Sequence, residues 1–293
     1  MADQPVSKGN AIVKSGTLYL VATPIGNLED ITLRALRVLK EVDLVACEDT
    51  RQTQKLLNHY NLATRTVSYH EHNEVTRGVE LVKDLCEGMN VALVTDAGMP
   101  GISDPGFRLT SLAISHHVPV VPIPGASAFL SALVASGLPT DSFRFNGFLP
   151  AKLGERRAAL EAIKNSQGTQ VFYEAPHRVV DAMADVTEVL GSGRQVVIAR
   201  ELTKVHEEFL RGGAAEVLET LKSRVAIKGE ITLLIGTGEK SGMVDHGSQI
   251  TVRRRVEQIM AEDKVDEKTA LKKVAKERGV SKSEAYRELQ RSK

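Results

Sequence analysis

A chain of 293 residues, 42% hydrophobic and 26% charged, has the composition of a globular protein with room for about two domains, each burying its own core, and not of a disordered or fibrous one. No apolar run reaches the roughly 18 residues of a membrane span, and the polar start "MADQPVSKGN" lacks the apolar centre of a signal peptide, so a cytoplasmic location is expected. Net charge is +1, yet residues 251–293 hold 13 Lys and Arg against 8 Asp and Glu, leaving 25 against 29 upstream; such a basic end suits a polyanionic partner, and equally a helical tail with a solvated face.

From Thr17 onward short β-branched runs alternate with helical patterns. Strands are expected at "TLYLVAT", "DLVACE", "TVSYH", "VALVT" and "VPVVPI", with helices near 32–41, 50–60, 73–87 and 107–116. That alternation predicts a mostly parallel sheet covered on both faces, with ligands at the carboxyl ends of its strands. A second series follows "SGLPTD": strands at "SFRFNGFL", "TQVFYEA", "RQVVIAR" and "ITLLIGT", with helices near 154–165, 177–190 and 214–224. The reading is therefore α/β in two domains, 16–138 and 139–237, after a flexible start over 1–15. "GEKSGMVDHGSQ" (238–249) reads as a linker, and 250–293 as three helical segments. Ser281 and Glu284 have capping-box spacing; the last two helices resemble a helix-turn-helix, with a helical cap or dimerisation element as the alternative. Cys47 and Cys86 sit inside apolar segments without a C-x-x-C pair, so buried free thiols are expected.

Several chemistries lack their residues. There is no G-x-x-x-x-G-K-[ST], and no G-x-G-x-x-G follows the first strand. "PGASAF" departs from a nucleophile elbow at Phe129, and His70 and His72 are two apart, the wrong spacing for a helical zinc site. No metal is expected. What is left is a set of strand ends rich in turn-forming residues: "TPIGN" (23–27), "DAGMPGISDPG" (96–106), "PGASA" (124–128) and "FYEAPHR" (172–178). If their strands run parallel, these loops meet along one edge between the domains. Their backbone groups could bind a ligand with an adenine ring, a ribose and an amino-acid tail, under apolar cover from Ile25, Met99 and Ile102.

The chain resembles the tetrapyrrole methylases, two-domain enzymes that hold S-adenosylmethionine between their domains without a Rossmann fingerprint. "ATPIGNLEDITLRAL", "ACEDTR", "SYHEHNE", "TDAGMPGISDPG", "PIPGASA" and "FYEAPHR", within about residues 16–237, are similar to the branch that methylates a ribose 2′-hydroxyl of small-subunit ribosomal RNA. The resemblance implies S-adenosyl-L-methionine as cofactor, a decoding-centre cytidine of the 16S rRNA in the small ribosomal subunit as target, and a homodimer. It carries the cofactor role onto Pro24, Ile25, Asp96, Gly98, Met99, Ile102, Ser103, Ser127, Ala128 and Tyr173, and also onto Leu202 and Thr232.

For the chemical step the candidates are Asp49, Arg51, Glu174, His177 and Arg178. Asp49 could accept a proton, and the two arginines could grip phosphates. Against each stands a structural role: Asp49 and Arg51 could cap the helix beginning near Thr50, His177 could be a first-turn residue after Pro176, and Glu174 could pair with Arg178 four residues on. Two other functions compete with the RNA methyltransferase: a precorrin-type methylase, and a non-catalytic RNA-binding protein of ribosome assembly. An aromatic share of 4% with no Trp argues against base stacking as the main mode of binding.

Overall fold

The computed structural model describes residues 15–238, 252–277 and 281–291. Apart from residues 15 and 238, the expected flexible start and linker lie outside them, as do the turn at Gly279 and the side chain of Glu284. The chain divides into two compact units, 1–240 and 241–293.

The first unit holds two five-stranded sheets. One is built from β1 (Leu18–Val21), β2 (Leu44–Cys47), β3 (Thr66–Ser68), β4 (Val91–Val94) and β5 (Val120–Ile123), in the order β3-β2-β4-β1-β5, every pair parallel. The central runs β2 and β4 are short, apolar and buried throughout because those strands are covered on both faces. Alternation sorts the side chains. Val45, Cys47, Ala92 and Val94 face α1 (Leu33–Glu41) and α2 (Thr50–His59), while Leu44, Ala46, Val91 and Leu93 face α3 (Glu74–Cys86) and α4 (Phe107–Ser115).

This arrangement creates the crevice. β1 and β4 are neighbours, yet the helix after β1 lies on one face of the sheet and the helix after β4 on the other. Their carboxyl-end loops must part, which is the topological switch point where open α/β sheets bind ligands.

α5 (Ala128–Ser136) leads to the second sheet: β6 (Phe143–Phe148), β7 (Thr169–Glu174), β8 (Gln195–Arg200), β9 (Glu208–Gly213) and β10 (Ile231–Ile235), in the order β6-β7-β10-β8-β9. Here the condition that the strands run parallel holds only in part. Only β6 and β7 pair in parallel, and β10 runs antiparallel to both β7 and β8. β8 can return through β9, so no long crossover is needed there.

One face of this sheet carries α6 (Leu153–Ile163), α7 (Val179–Leu190) and α8 (Ala214–Lys222). The buried Arg156 of α6 meets Asp185 of α7 at 2.6 Å. The other face packs on Ala132 and Leu133 of α5 and on Ile25 from the loop after β1. The expected boundary between residues 138 and 139 thus falls between two sheets that α5 joins into one compact unit.

The second unit contains α9 (Val252–Asp263), α10 (Glu267–Glu277) and α11 (Lys282–Arg291) around one apolar cluster that includes Val256, Ile259, Leu271, Val274 and Leu289. The Asp266 carboxylate accepts a hydrogen bond from the Thr269 amide at the start of α10. Of the cysteines, Cys47 is buried as expected, but Cys86 is exposed, because it ends α3 on the solvent side.

Candidate active site

Strand ends of both sheets converge on one cavity of about 320 Å³, within the range of small-ligand pockets. Thr23 and Gly98 exchange backbone hydrogen bonds of 2.9 and 3.1 Å, tying the β1 loop to the β4 loop. Gly98 sits at φ +88°, where an added Cβ would be only 3.5 Å from Ile25 Cγ2. The need for glycine is therefore conformational, not a matter of space.

Across the cavity the β1 loop is fastened to the second sheet. The Asn27 amide donates to Thr203 Oγ1 at 3.0 Å. Gly26 passes so close that a Cβ there would lie 2.5 Å from Lys204 Cγ. Glu201 and Thr203 both adopt positive φ, 53° and 65°, a strained conformation for residues with side chains.

Of the twelve cofactor candidates, Ile25, Gly98, Met99, Ile102, Ser103, Ser127, Ala128, Tyr173, Leu202 and Thr232 line this cavity. Pro24 and Asp96 do not: Pro24 is buried behind the lining, and Asp96 points outward, its Oδ1 accepting the Asp49 amide at 3.3 Å. The wall also contains Ala97, Asp104, Phe129, Phe148, Glu174, Ala175, Pro176, Ala199, Gly229, Glu230 and Ile231. Sequence reasoning singled out only Glu174 among these, although Ala97, Asp104, Ala175 and Pro176 lie within the loops it placed at the site. Phe148 and Tyr173 meet edge-on at 5.6 Å, giving the site an aromatic side.

The candidate catalytic groups are mostly occupied with each other. Asp49 caps α2 through the Arg51 amide at 2.8 Å, and its two oxygens take Arg51 Nε and Nη2 at 3.1 and 2.9 Å. Those bonds hold the Asp49 carboxyl at about 2, below the usual range. Neither residue lines the cavity. Glu174 is buried, and its Oε1 accepts from the Ala175 amide at 2.7 Å and from Arg178 Nε and Nη2 at 2.9 and 2.6 Å. His177 is exposed and outside the cavity. The structural roles held in reserve for Asp49, Arg51, Glu174 and Arg178 are the contacts observed.

Asp104 is different. It is half-buried, and burial together with the nearby Glu48 and Asp96 pushes its carboxyl up to about 6. Among the described residues no group of three or more His, Cys, Asp or Glu is placed to hold a metal ion, and no helix is long and apolar enough to cross a membrane.

Comparison with known proteins fixes the family. The profile described as Tetrapyrrole (Corrin/Porphyrin) Methylases matches residues 17–218. The chain belongs to this family. Two relatives carry the name Ribosomal RNA small subunit methyltransferase I. The one from Halalkalibacterium halodurans is 52% identical over 273 residues, covering 92% of this chain and 93% of its own. The one from Bacillus subtilis is 45% identical over 275 residues, covering 92% and 93%. The chain thus falls in the ribosomal RNA branch of the family. Solved structures share the fold at lower identity. Uroporphyrin-III C-methyltransferase from Thermus thermophilus, complexed with S-adenosylhomocysteine, has TM-score 0.53 at 20% identity, covering 75% of this chain and 97% of its own. Diphthine synthase has TM-score 0.60 at 13% identity, covering 75% and 90%.

Proposed function

We propose that this protein transfers a methyl group from S-adenosylmethionine to ribosomal RNA of the small subunit, that its acceptor is the ribose 2′-hydroxyl of a decoding-centre cytidine in 16S rRNA, and that it works in the cytoplasm as a homodimer. The observation that carries the reading is the cavity at the switch point, in a chain whose relatives bear an rRNA methyltransferase name over nine-tenths of their length.

The lining fits the cofactor. Ile25, Met99, Leu202 and Ile231 offer apolar cover for an adenine ring, while the turn at Gly98 and the Ser103, Ser127 and Thr232 hydroxyls offer polar partners for the ribose and amino-acid portions. S-adenosylmethionine supplies an electrophilic methyl on a sulfonium. The chain's own task is to hold the acceptor oxygen in line with that methyl at about 3–3.5 Å and to keep water out. Arg51, whose side chain is 86% exposed, is available to an RNA phosphate while still paired with Asp49.

The test is to incubate the protein with methyl-labelled cofactor and, separately, small ribosomal subunits, naked 16S rRNA and a precorrin. Label is expected in the 16S rRNA of the subunits, on a 2′-oxygen. Label in the precorrin alone would assign the protein to the small-molecule side of its family, and label in none would point to RNA binding without catalysis.

A further inference from the structure

Three carboxylates line the cavity: Asp104, Glu174 and Glu230. Glu174 is held by Arg178 at 2.6 Å and Glu230 by Lys204 at 3.1 Å. Asp104 makes no hydrogen bond or ion pair among the described residues. It is also the residue common to the cavity and to the shallow groove lined by Glu74, Phe107, Arg108 and Ser111 on α3 and α4. Asp104 thus stands where the cavity meets a groove open to a large substrate.

Its backbone is firmly set. Ser103 before it adopts φ +60°, and Pro105 after it restricts Asp104 to extended conformations. Gly101 and Gly106, at φ +83° and +151°, close the loop on itself: a Cβ on Gly106 would stand 2.9 Å from the Gly101 nitrogen. A strained loop at a cavity wall, ending in a carboxylate without a partner, is an arrangement found where a side chain must be aimed.

We propose that Asp104 is a catalytic residue, the group that takes the proton from the acceptor hydroxyl during methyl transfer. The proposal rests on the reading that the acceptor is a hydroxyl. The hydroxyl O–H bond breaks and its proton passes to a carboxylate oxygen of Asp104. The hydroxyl oxygen bonds to the methyl carbon, the carbon–sulfur bond breaks, and its electron pair stays on sulfur, leaving the thioether S-adenosylhomocysteine. The protonated carboxyl then returns its proton to water. Partial burial, with Glu48 and Asp96 nearby, raises the proton affinity of Asp104, so it is a stronger base than an ordinary aspartate yet ionised at neutral pH. The other charged or titratable groups around it are Tyr173, Glu174 and Glu230 in the cavity and the Glu74–Arg108 pair at the groove.

The experiment uses the full chain and Asp104→Asn. With small subunits and S-adenosylmethionine saturating, the single-turnover rate should fall about 100- to 10,000-fold in the variant. Calorimetric affinity for S-adenosylmethionine should stay within about threefold, since Asn keeps the shape of the wall. The wild-type rate should rise with pH up to about 6 and then level off, and Asp104→Asn should lose that limb. A readout without cofactor is the carboxyl carbon-13 signal of labelled aspartate. One signal should titrate near 6, vanish in Asp104→Asn, and move to lower pH in Glu48→Gln, which removes a neighbouring negative charge. A near-wild-type rate in Asp104→Asn, a parallel loss of cofactor affinity, or an aspartate set titrating wholly in the ordinary range would each overturn the proposal. Absence of transfer by the wild-type protein onto any hydroxyl of the subunits would instead overturn the reading of the function, whatever the carboxyl titration shows.

Discussion

At the scale of single residues, the site depends on backbone conformations that only certain residues tolerate. Gly98, at φ +88°, leaves room for a Cβ but not for the geometry a β-branched residue prefers. Gly98→Ala should keep measurable cofactor binding, with strain of about 1–2 kcal/mol. Gly98→Val should abolish binding while far-UV circular dichroism stays native. Calorimetry giving unchanged affinity in Gly98→Val would remove this turn from the site. Gly98 was legible in the sequence because a glycine between Ala97 and Met99, after a strand, signals a left-handed turn. Asp104 sits in the same quoted stretch and was passed over, because its value lies in what folding puts around it: partial burial, no ion-pair partner among the described residues, and Glu48, distant in sequence, brought beside it together with Asp96. Phe148 was unreadable for a similar reason, as only the pairing of β6 with β7 sets it against Tyr173.

At the scale of elements, the five strands of the parallel sheet were readable, as were four of the five in the mixed sheet, where β9 and the antiparallel directions were not. The parallel sheet gives the plainest signal. Its strands alternate with amphipathic helices whose buried positions recur at helical spacing, such as Leu81, Val82 and Leu85 in α3. α5 lacks that signal, because "AFLSALVAS" is apolar nearly all round and presents no polar face to reveal a period. β9 escaped because "EFLRGG" carries two charges and ends in glycines, a composition an edge strand accepts. Yet β9 holds its corner through Glu208, which binds Arg200 of β8 at 3.0 Å and Arg224 beyond α8 at 2.5 Å. The Arg224 hydrogen bond, with help from Arg200, lowers the Glu208 carboxyl from 4.5 to about 2. A depressed carboxylate contributes stability that is present above its unfolded value and is lost as pH falls through its folded one. Relative to Glu208→Gln, the wild type should therefore be more stable at pH 7, on the order of 1–3 kcal/mol after allowance for its partial exposure. The difference should close between pH 4.5 and 2. Denaturant melts of both proteins across that window check it, and a gap that persists at pH 2 would mean that packing, not charge, is responsible.

At the scale of the whole molecule, the cavity lies entirely within the first compact unit, while residues 241–293 form the second. The tail carries the chain's surplus of Lys and Arg. Phosphate neutralisation by such residues makes RNA affinity fall steeply with salt. A chain ending at residue 240 should bind S-adenosylmethionine like the full protein but capture small subunits more weakly, with a shallower salt dependence. Equal capture by both chains across a salt titration would leave the three helices a structural role only.

The bond between Asn27 and Thr203 joins residues 176 positions apart in sequence, in the segments that carry Ile25 and Leu202 of the cavity wall. Closing so long a span is entropically costly, so it follows the assembly of the two sheets it unites. A ligand in the cavity then stabilises only the joined chain and leaves earlier forms untouched. S-adenosylhomocysteine should accordingly slow unfolding in urea while refolding stays as fast as before, since an interaction absent from the transition state acts on the escape rate alone. Occupancy would thus govern how long each molecule lasts, giving the working protein a lifetime the idle one lacks. Stopped-flow traces in which the ligand speeds refolding instead would place the join early.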